Sequence, residues 1–186
     1  MIRIRGVIAQ HTCLEHTKLY EYAWRKKSIV EIGVAEGASA LALRKAAAPD
    51  AILYLIDSYS SGRKLDSQLQ RIIAHRHVNR SRNAEVCWVR DFSYNVVKDW
   101  KKPIDFLFID GDHSHKACLR DWIEWSPFVI RGGIVAFHDG RIFQRGWTSA
   151  DMGSVKVVQK IRNDPRSDFQ VIDEVDSMVF FRKNGQ

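Results

Sequence analysis

Cysteine is scarce in this chain: Cys13, Cys87 and Cys118 are the three in 186 residues, widely spaced and without a CxxC pair. That pattern excludes a disulfide scaffold and a zinc knuckle, and it fits a reducing compartment. Four prolines and 11 glycines are too few for a collagen-like or low-complexity chain. With 45% hydrophobic and 27% charged residues, disorder is excluded as the main state. Long apolar runs are missing. Ile104–Ile109, with Asp105 inside it, falls far short of the ~20 residues that a membrane span needs, so no membrane partner is expected. The opening MIRIRGVIAQ has no apolar secretory core, and a cytoplasmic location is the expectation. The length suits one domain, 1–186, with 1–27 as a helical extension packed on it.

Acid is in the minority: 29 Lys and Arg oppose 22 Asp and Glu, for a formal charge of +7. The densest basic stretch runs from Arg71 to Arg82. It permits a nucleic-acid partner. No aromatic or glycine spacing of a known nucleic-acid motif accompanies it, which favours a solvated helix face.

Short β-branched runs alternate with helical patterns along the chain. Strands are expected at Ser28–Ile32, Ala51–Ile56, Val86–Val89, Ile104–Ile109, Ile134–Phe137, Phe169–Ile172 and Met178–Phe181. Helices are expected at Ala38–Ala48, Leu65–Asn79, Tyr94–Trp100, His115–Val129 and Val155–Arg162. The fifth-strand region is preceded by an Arg131-Gly-Gly turn, and Leu119, Trp122 and Ile123 form the expected apolar face of its helix. Leu14, Leu19, Tyr22 and Ala23 predict a further helix near the N-terminus. Strict alternation gives an α/β sandwich with a parallel sheet. The last two strands are joined by too few residues for a parallel crossover, so that pair must be antiparallel.

Ligands of such sheets sit at the carboxyl ends of the strands. The first strand runs into Glu31-Ile-Gly-Val-Ala-Glu-Gly-Ala-Ser39, where Gly33 and Gly37 allow a tight turn or a close strand–helix contact. The dinucleotide fingerprint needs glycine where Ala35 stands, which disfavours NAD and FAD. A ligand without phosphates at that point, such as S-adenosylmethionine, is less affected. No GxxxxGK[ST] is present. Glu31 can anchor an ammonium directly or through water. Asp57, with Ser58 beside it, ends the second strand and can accept ribose hydroxyls; Asp91 or Ser93 can meet an adenine edge.

The fourth strand presents Asp110, Asp112 and His113 at its carboxyl end, and the fifth presents His138 and Asp139. Adjacent strands lie about 5 Å apart, so Asp110 and Asp139 can share a cation with His138 beside them. Oxygen-rich ligation suits Mg²⁺ or Mn²⁺, and the imidazole also admits Zn²⁺ or Fe²⁺. Asp112 can equally cap the following helix.

The segments VEIGVAEGAS, YLIDSY, DFLFIDGDHSHKACLRDWIEWSPFVIRGGIVAFHDG and VDSMVFFRK together resemble the class I S-adenosylmethionine-dependent methyltransferases. The nearer likeness is to the family-24-like branch with an IDGDHSY-type signature. That branch includes proteins similar to macrolide-sugar O-methyltransferases and cephalosporin hydroxylase-like proteins. The resemblance covers residues 10–183. It implies a Rossmann-like seven-stranded sheet of order 3-2-1-4-5-7-6 with strand 7 reversed. It implies cofactor contacts at Glu31, Gly33, Gly37, Ser39, Asp57, Ser58, Asp91, Ser93 and Asp110, and a metal set of Asp110, His138 and Asp139. The His138-Asp139 pair departs from the Asp-Asn of catechol-type relatives.

Methyl transfer to a hydroxyl needs an aligned acceptor and removal of a proton. A cation on Asp110 and Asp139 supplies one route; His113 or His138 as general base supplies the other. Asp110, His113 and His138 are therefore the candidate catalytic residues. Arg141–Gly153 is the candidate cover, with Phe143, Arg145 and Trp147 at hand. The expected acceptor is a small-molecule hydroxyl, and a homodimer is compatible with the sequence. The alternatives are an RNA methyltransferase using the basic stretch and a non-catalytic cofactor-binding module.

Overall fold

In the computed structural model, residues 7–60 and 64–185 are described; the first six residues of the expected N-terminal extension lie outside this set. The elements are α1 (Cys13–Ala23), β1 (Ser28–Ile32), α2 (Ala38–Ala46), β2 (Ile52–Ile56), α3 (Lys64–Val78), β3 (Glu85–Val89), α4 (Ser93–Val96), β4 (Ile104–Ile109), α5 (His115–Trp125), β5 (Val129–Phe137), α6 (Gly153–Asn163), β6 (Phe169–Val175) and β7 (Met178–Lys183). The seven strands lie in the order β3-β2-β1-β4-β5-β7-β6. β7 runs antiparallel to both β5 and β6, as the short β6–β7 connection requires.

Alternation along each strand feeds two separate cores. Phe106 and Phe108 of β4 face one side with Ile29, Leu53, Leu55 and Phe180, covered by Leu19 of α1, Leu43 of α2 and Ala74 of α3. Leu107 and Ile109 face the other side with Val30, Ile56, Phe137 and Phe181, covered by Trp125 of α5 and Val157, Val158 and Ile161 of α6. Both faces being buried accounts for the uninterrupted apolar runs.

Three expectations are corrected. Helix α5 ends at Trp125, Ser126–Phe128 form one 3₁₀ turn at Pro127, and β5 starts at Val129. The Arg131-Gly-Gly segment is thus inside the strand rather than ending a helix. It forms an irregularity where β4–β5 pairing shifts from Ile104–Val129 to Phe106–Ile134. Gly132 adopts a φ of +74° there, which glycine supplies without strain. The fully buried residues of α5 are Ala117, Cys118, Asp121 and Trp125; Leu119 and Trp122 pack partly buried against the same core, while Ile123 is exposed. Leu14 of α1 is exposed as well; Leu19 and Ala23 carry that helix's packing.

Candidate active site

A cavity of about 900 Å³ opens at the carboxyl ends of β1, β2, β3, β4 and β5. It is larger than two further cavities, of about 540 and 580 Å³, which lie among α5, α6 and β6 residues.

Its first wall is the β1–α2 loop. Gly33 has a φ of +88°, and a Cβ there would lie 2.1 Å from the Asp110 carbonyl oxygen. The glycine therefore lets the loop touch the chain leaving β4. Asp57 fastens the same loop. Its Oδ2 accepts the amides of Val34 (2.8 Å) and Ala35 (2.9 Å), and its Oδ1 accepts the amide of Tyr59 (2.7 Å). Ala35, at the position where the dinucleotide fingerprint carries glycine, is held at a φ of +45°. Ser58, Asp91 and Ser93 complete this wall with Gly33, Ala35 and Asp57.

Three expected contacts lie behind the wall instead. Gly37 caps α2 and packs towards Val78 of α3. Glu31 and Ser39 are buried beneath the loop, with the Ser39 hydroxyl donating to Glu31 Oε1. Burial raises the Glu31 carboxyl well above the usual range against that hydrogen bond, and the charges of Asp110 and Asp57 add to the rise. The expected direct contact of an ionised Glu31 with an ammonium is not what this burial favours: desolvation favours the protonated form. Ser93 is committed too, its hydroxyl donating to Asp121 Oδ1 at 2.5 Å. Burial pushes the Asp121 carboxyl up to about 6.

The second wall is polar. The β4–β5 register places Ile109 opposite Phe137, and hence Asp110 opposite His138. His138 Nδ1 lies 2.9 Å from Asp110 Oδ1. Burial alone would lower the His138 pKa, but the carboxylates of Asp110, Glu15 and Asp139 raise it to about 10. Burial likewise opposes ionisation of Asp110, but His138 and His11 hold its carboxyl well below the usual range. These carboxylates favour the protonated form of His138, which weighs against its expected role as a near-neutral general base. His113 is the accessible imidazole, about one-third exposed, 3.7 Å from both Asp110 Oδ1 and Asp139 Oδ2. Asp112 Oδ1 accepts the amide of Ser114, and the Ser114 hydroxyl caps α5 by accepting from Ala117.

Asp139 has a φ of +51°, and its Oδ2 accepts the Trp147 indole N–H at 2.8 Å. Trp147 and Met152 line the cavity, whereas Phe143 and Arg145 do not. Among the described residues, two sets of donor atoms close within 4.8 Å: His11, Asp110 and His138, and His113, His138 and Asp139. The expected trio of Asp110, His138 and Asp139 is divided between them. Asp139 lies one residue past the position opposite Asp110, and its Oδ2 accepts from the Trp147 indole.

Two participants were missed in the sequence. His11 Nε2 lies 3.1 Å from Asp110 Oδ2. Glu15 is buried; its Oε1 accepts the amide and hydroxyl of Ser177, and its Oε2 accepts the Thr12 amide. Burial would raise the Glu15 carboxyl, but His138 and these hydrogen bonds lower it to about 2. The available signal was Thr12-Cys-Leu-Glu15, a capping box that starts α1 and leaves His11 just ahead of it.

The sequence of a family described as a methyltransferase domain matches residues 30–140. An uncharacterized protein, R132 of Acanthamoeba polyphaga mimivirus, is 29% identical over 80 residues; the match spans 40% of this chain and 35% of that protein's length. The O-methyltransferase TomG from Streptomyces achromogenes, involved in tomaymycin synthesis and crystallised with SAM, superposes with a TM-score of 0.72 at 17% identity, covering 94% of this chain and 82% of TomG. An rRNA methylase from Streptococcus thermophilus superposes at 0.66 with 12% identity, covering 97% and 100% of the two chains. At such identities these two likenesses are of fold.

Proposed function

This chain belongs to the methyltransferase-domain family, and from that premise we propose that it transfers a methyl group from S-adenosylmethionine to the hydroxyl of a small molecule. The observation that carries the reading is the two-walled cavity: a glycine-turn wall fastened by Asp57 faces an imidazole–carboxylate wall at Asp110, His113 and Asp139. S-Adenosylmethionine supplies an electrophilic methyl on sulfur. Asp57, Ser58 and Asp91 offer the polar groups for its ribose and base along the first wall. An acceptor oxygen between the walls attacks the methyl in line; the O–C bond forms as C–S breaks, with the electron pair leaving on sulfur. His113 takes the hydroxyl proton, because of the two imidazoles that line the cavity it is the more exposed, while the carboxylates around His138 favour that ring's protonated form. Asp139 Oδ1 is buried without an aligned hydrogen-bond partner, which fits a bound cation. A cation held there would lower the pKa of the acceptor hydroxyl.

A small acceptor is favoured over RNA by topology. Helix α3 returns antiparallel to β2 and β3, so its basic C-terminal turn lies at the amino edge of the sheet, opposite the cavity. Calorimetric titration with S-adenosylhomocysteine tests the first half of the proposal. The folded chain should bind, and Asp57→Ala should weaken binding at least tenfold, about 1.4 kcal/mol. No binding by the folded protein overturns the reading. His113→Gln should keep that binding while lowering kcat by about 10²–10⁴-fold; steeply salt-dependent RNA binding would instead support the RNA reading.

A further inference from the structure

We propose that residues 8–12 form a strap that closes the cavity over bound cofactor, hinged at Thr12 and latched by the Ile8 amide on Glu36, so that opening of the latch sets the rate of cofactor exchange. The inference rests on the reading of the cavity as a site for S-adenosylmethionine and adds its gate.

The segment precedes α1 and has no helix or strand of its own. Extended chain of that length spans about 13 Å, enough to pass from one wall of the cavity to the other. Its contacts stand on both walls. The Ile8 amide donates to Glu36 Oε2 at 2.8 Å, in the β1–α2 loop of the first wall. His11 Nε2 lies 3.1 Å from Asp110 Oδ2, on the second wall. Gln10, between these two fastenings, lines the cavity. The strap therefore crosses between the carboxyl ends of β1 and β4. Sheet order indicates what lies beneath it. β3 and β2 bring Asp91 and Asp57 to the base and ribose, and β1 and β4 come next. The amino-acid end of the cofactor extends that way, under the strap and towards the acceptor wall.

The two ends are fastened unequally. At the hinge, the Thr12 hydroxyl donates to Asp176 at 2.5 Å and the capping box ties Thr12 to Glu15. The neighbouring His11 side chain is 4% exposed, against Asp110, Phe108 and His138. At the latch, the Ile8 side chain is 57% exposed, so the amide on the buried Glu36 carboxylate carries the contact. Breaking that charge-assisted hydrogen bond uncovers little apolar surface, so opening at Ile8 is a smaller event than unfolding α1. Glu36 directly precedes Gly37, the N-cap of α2. Latch and cofactor wall thus share one loop. A ligand that fixes this loop favours the latched state by the same free energy with which the latch retains the ligand.

The test measures dissociation of S-adenosylhomocysteine from the full chain by surface plasmon resonance. Ile8→Pro removes the donated N–H, whereas Ile8→Ala keeps it and trims only the exposed side chain. Ile8→Pro should release the ligand at least about tenfold faster than the parent, the usual scale for a hydrogen bond to a charged group. Ile8→Ala should stay within about twofold of the parent, as a surface change does. Deletion of residues 1–8 leaves the Thr12 capping box in place and should match Ile8→Pro, which covers a proline variant that fails to fold. In the parent, hydrogen exchange of the Gln10 and His11 amides should slow at least about tenfold on saturation with S-adenosylhomocysteine. No binding by the folded parent overturns the cofactor reading and the strap together. Binding with equal dissociation rates in the parent, Ile8→Pro and the deletion overturns the strap alone, as does strap exchange that the ligand leaves unchanged. Release from Ile8→Ala as fast as from Ile8→Pro would assign the hold to the side chain and overturn the latch.

Discussion

Burial and close partners set the charge of single side chains here. Asp121 is the plainest, pushed up to about 6 from a usual 3.8 by burial beside the Ser93 hydroxyl. A carboxyl whose folded pKa is raised favours folding below its unfolded pKa, and that advantage is lost as pH rises through the folded one. The wild type should therefore lose up to about 3 kcal/mol between pH 4 and pH 6 from this group, at 1.36 kcal/mol per pKa unit. Urea unfolding of Asp121→Asn at pH 4.5 and 7 should show that this fall has gone; an unchanged fall would assign it elsewhere. Glu15 has the opposite sign. Its pKa is lowered to about 2, so it stabilises the fold above pH 4.5 and ceases to do so as pH falls towards 2. Gly33 makes a steric prediction. Gly33→Ala places a methyl 2.1 Å from the Asp110 carbonyl oxygen at a φ of +88°, so the β1–α2 loop must move. A loss of at least about 2 kcal/mol, with weakened S-adenosylhomocysteine binding, is expected; stability within 0.5 kcal/mol of wild type by urea denaturation would contradict the close approach.

At the level of elements, two short segments cover the cavity from opposite ends of the chain. The segment ahead of α1 is anchored by the Thr12–Glu15 capping box and by the Thr12 hydroxyl donating to Asp176 in the β6–β7 turn at 2.5 Å. Thr12→Ala removes both contacts and should cost about 1–2 kcal/mol, the usual range for an N-cap. Hydrogen exchange of α1 amides should rise in that variant, and no rise would mean that sheet packing alone holds the helix. The second segment, after β5, carries Trp147, whose indole donates to Asp139. Trp147→Phe keeps a ring at the cavity mouth and loses that hydrogen bond. Asp139 is then freer to swing, and the acceptor KM should rise while S-adenosylhomocysteine affinity is kept. Most elements were legible in the sequence because their apolar runs are bounded by Gly, Pro or strand-end acids. The β5 boundary was not. Arg131-Gly-Gly reads as a turn locally, but pairing with β4 extends the strand back to Val129 through an irregular register.

Over the whole molecule, the βα topology sets the basic end of α3 apart from the cavity. The last turn of α3, with His75, Arg76 and His77, lies at the amino edge, and the cavity occupies the carboxyl edge. Replacing Arg76, Arg80 and Arg82 by Gln should leave kcat/KM for a small acceptor within about threefold. A loss of 100-fold or more would reveal a substrate long enough to span both edges. No helix among the described residues is long and apolar enough to cross a membrane. The sequence by itself determined the strand count, the reversed last strand and the acids at the strand ends, because alternation, loop length and local turn residues act over neighbouring positions. It also placed Asp57, Asp91, Asp110, His113 and Asp139 at one edge, since parallel strands bring their carboxyl ends together. Tertiary structure alone decided that Glu31 and Ser39 sit behind the loop, that Asp57 clamps it, and that His138 is buried against Asp110. It alone brought His11 and Glu15 to Asp110 and His138. Those contacts join residues some 100 positions or more apart, and only the packing of α1 against the sheet sets which of their atoms meet.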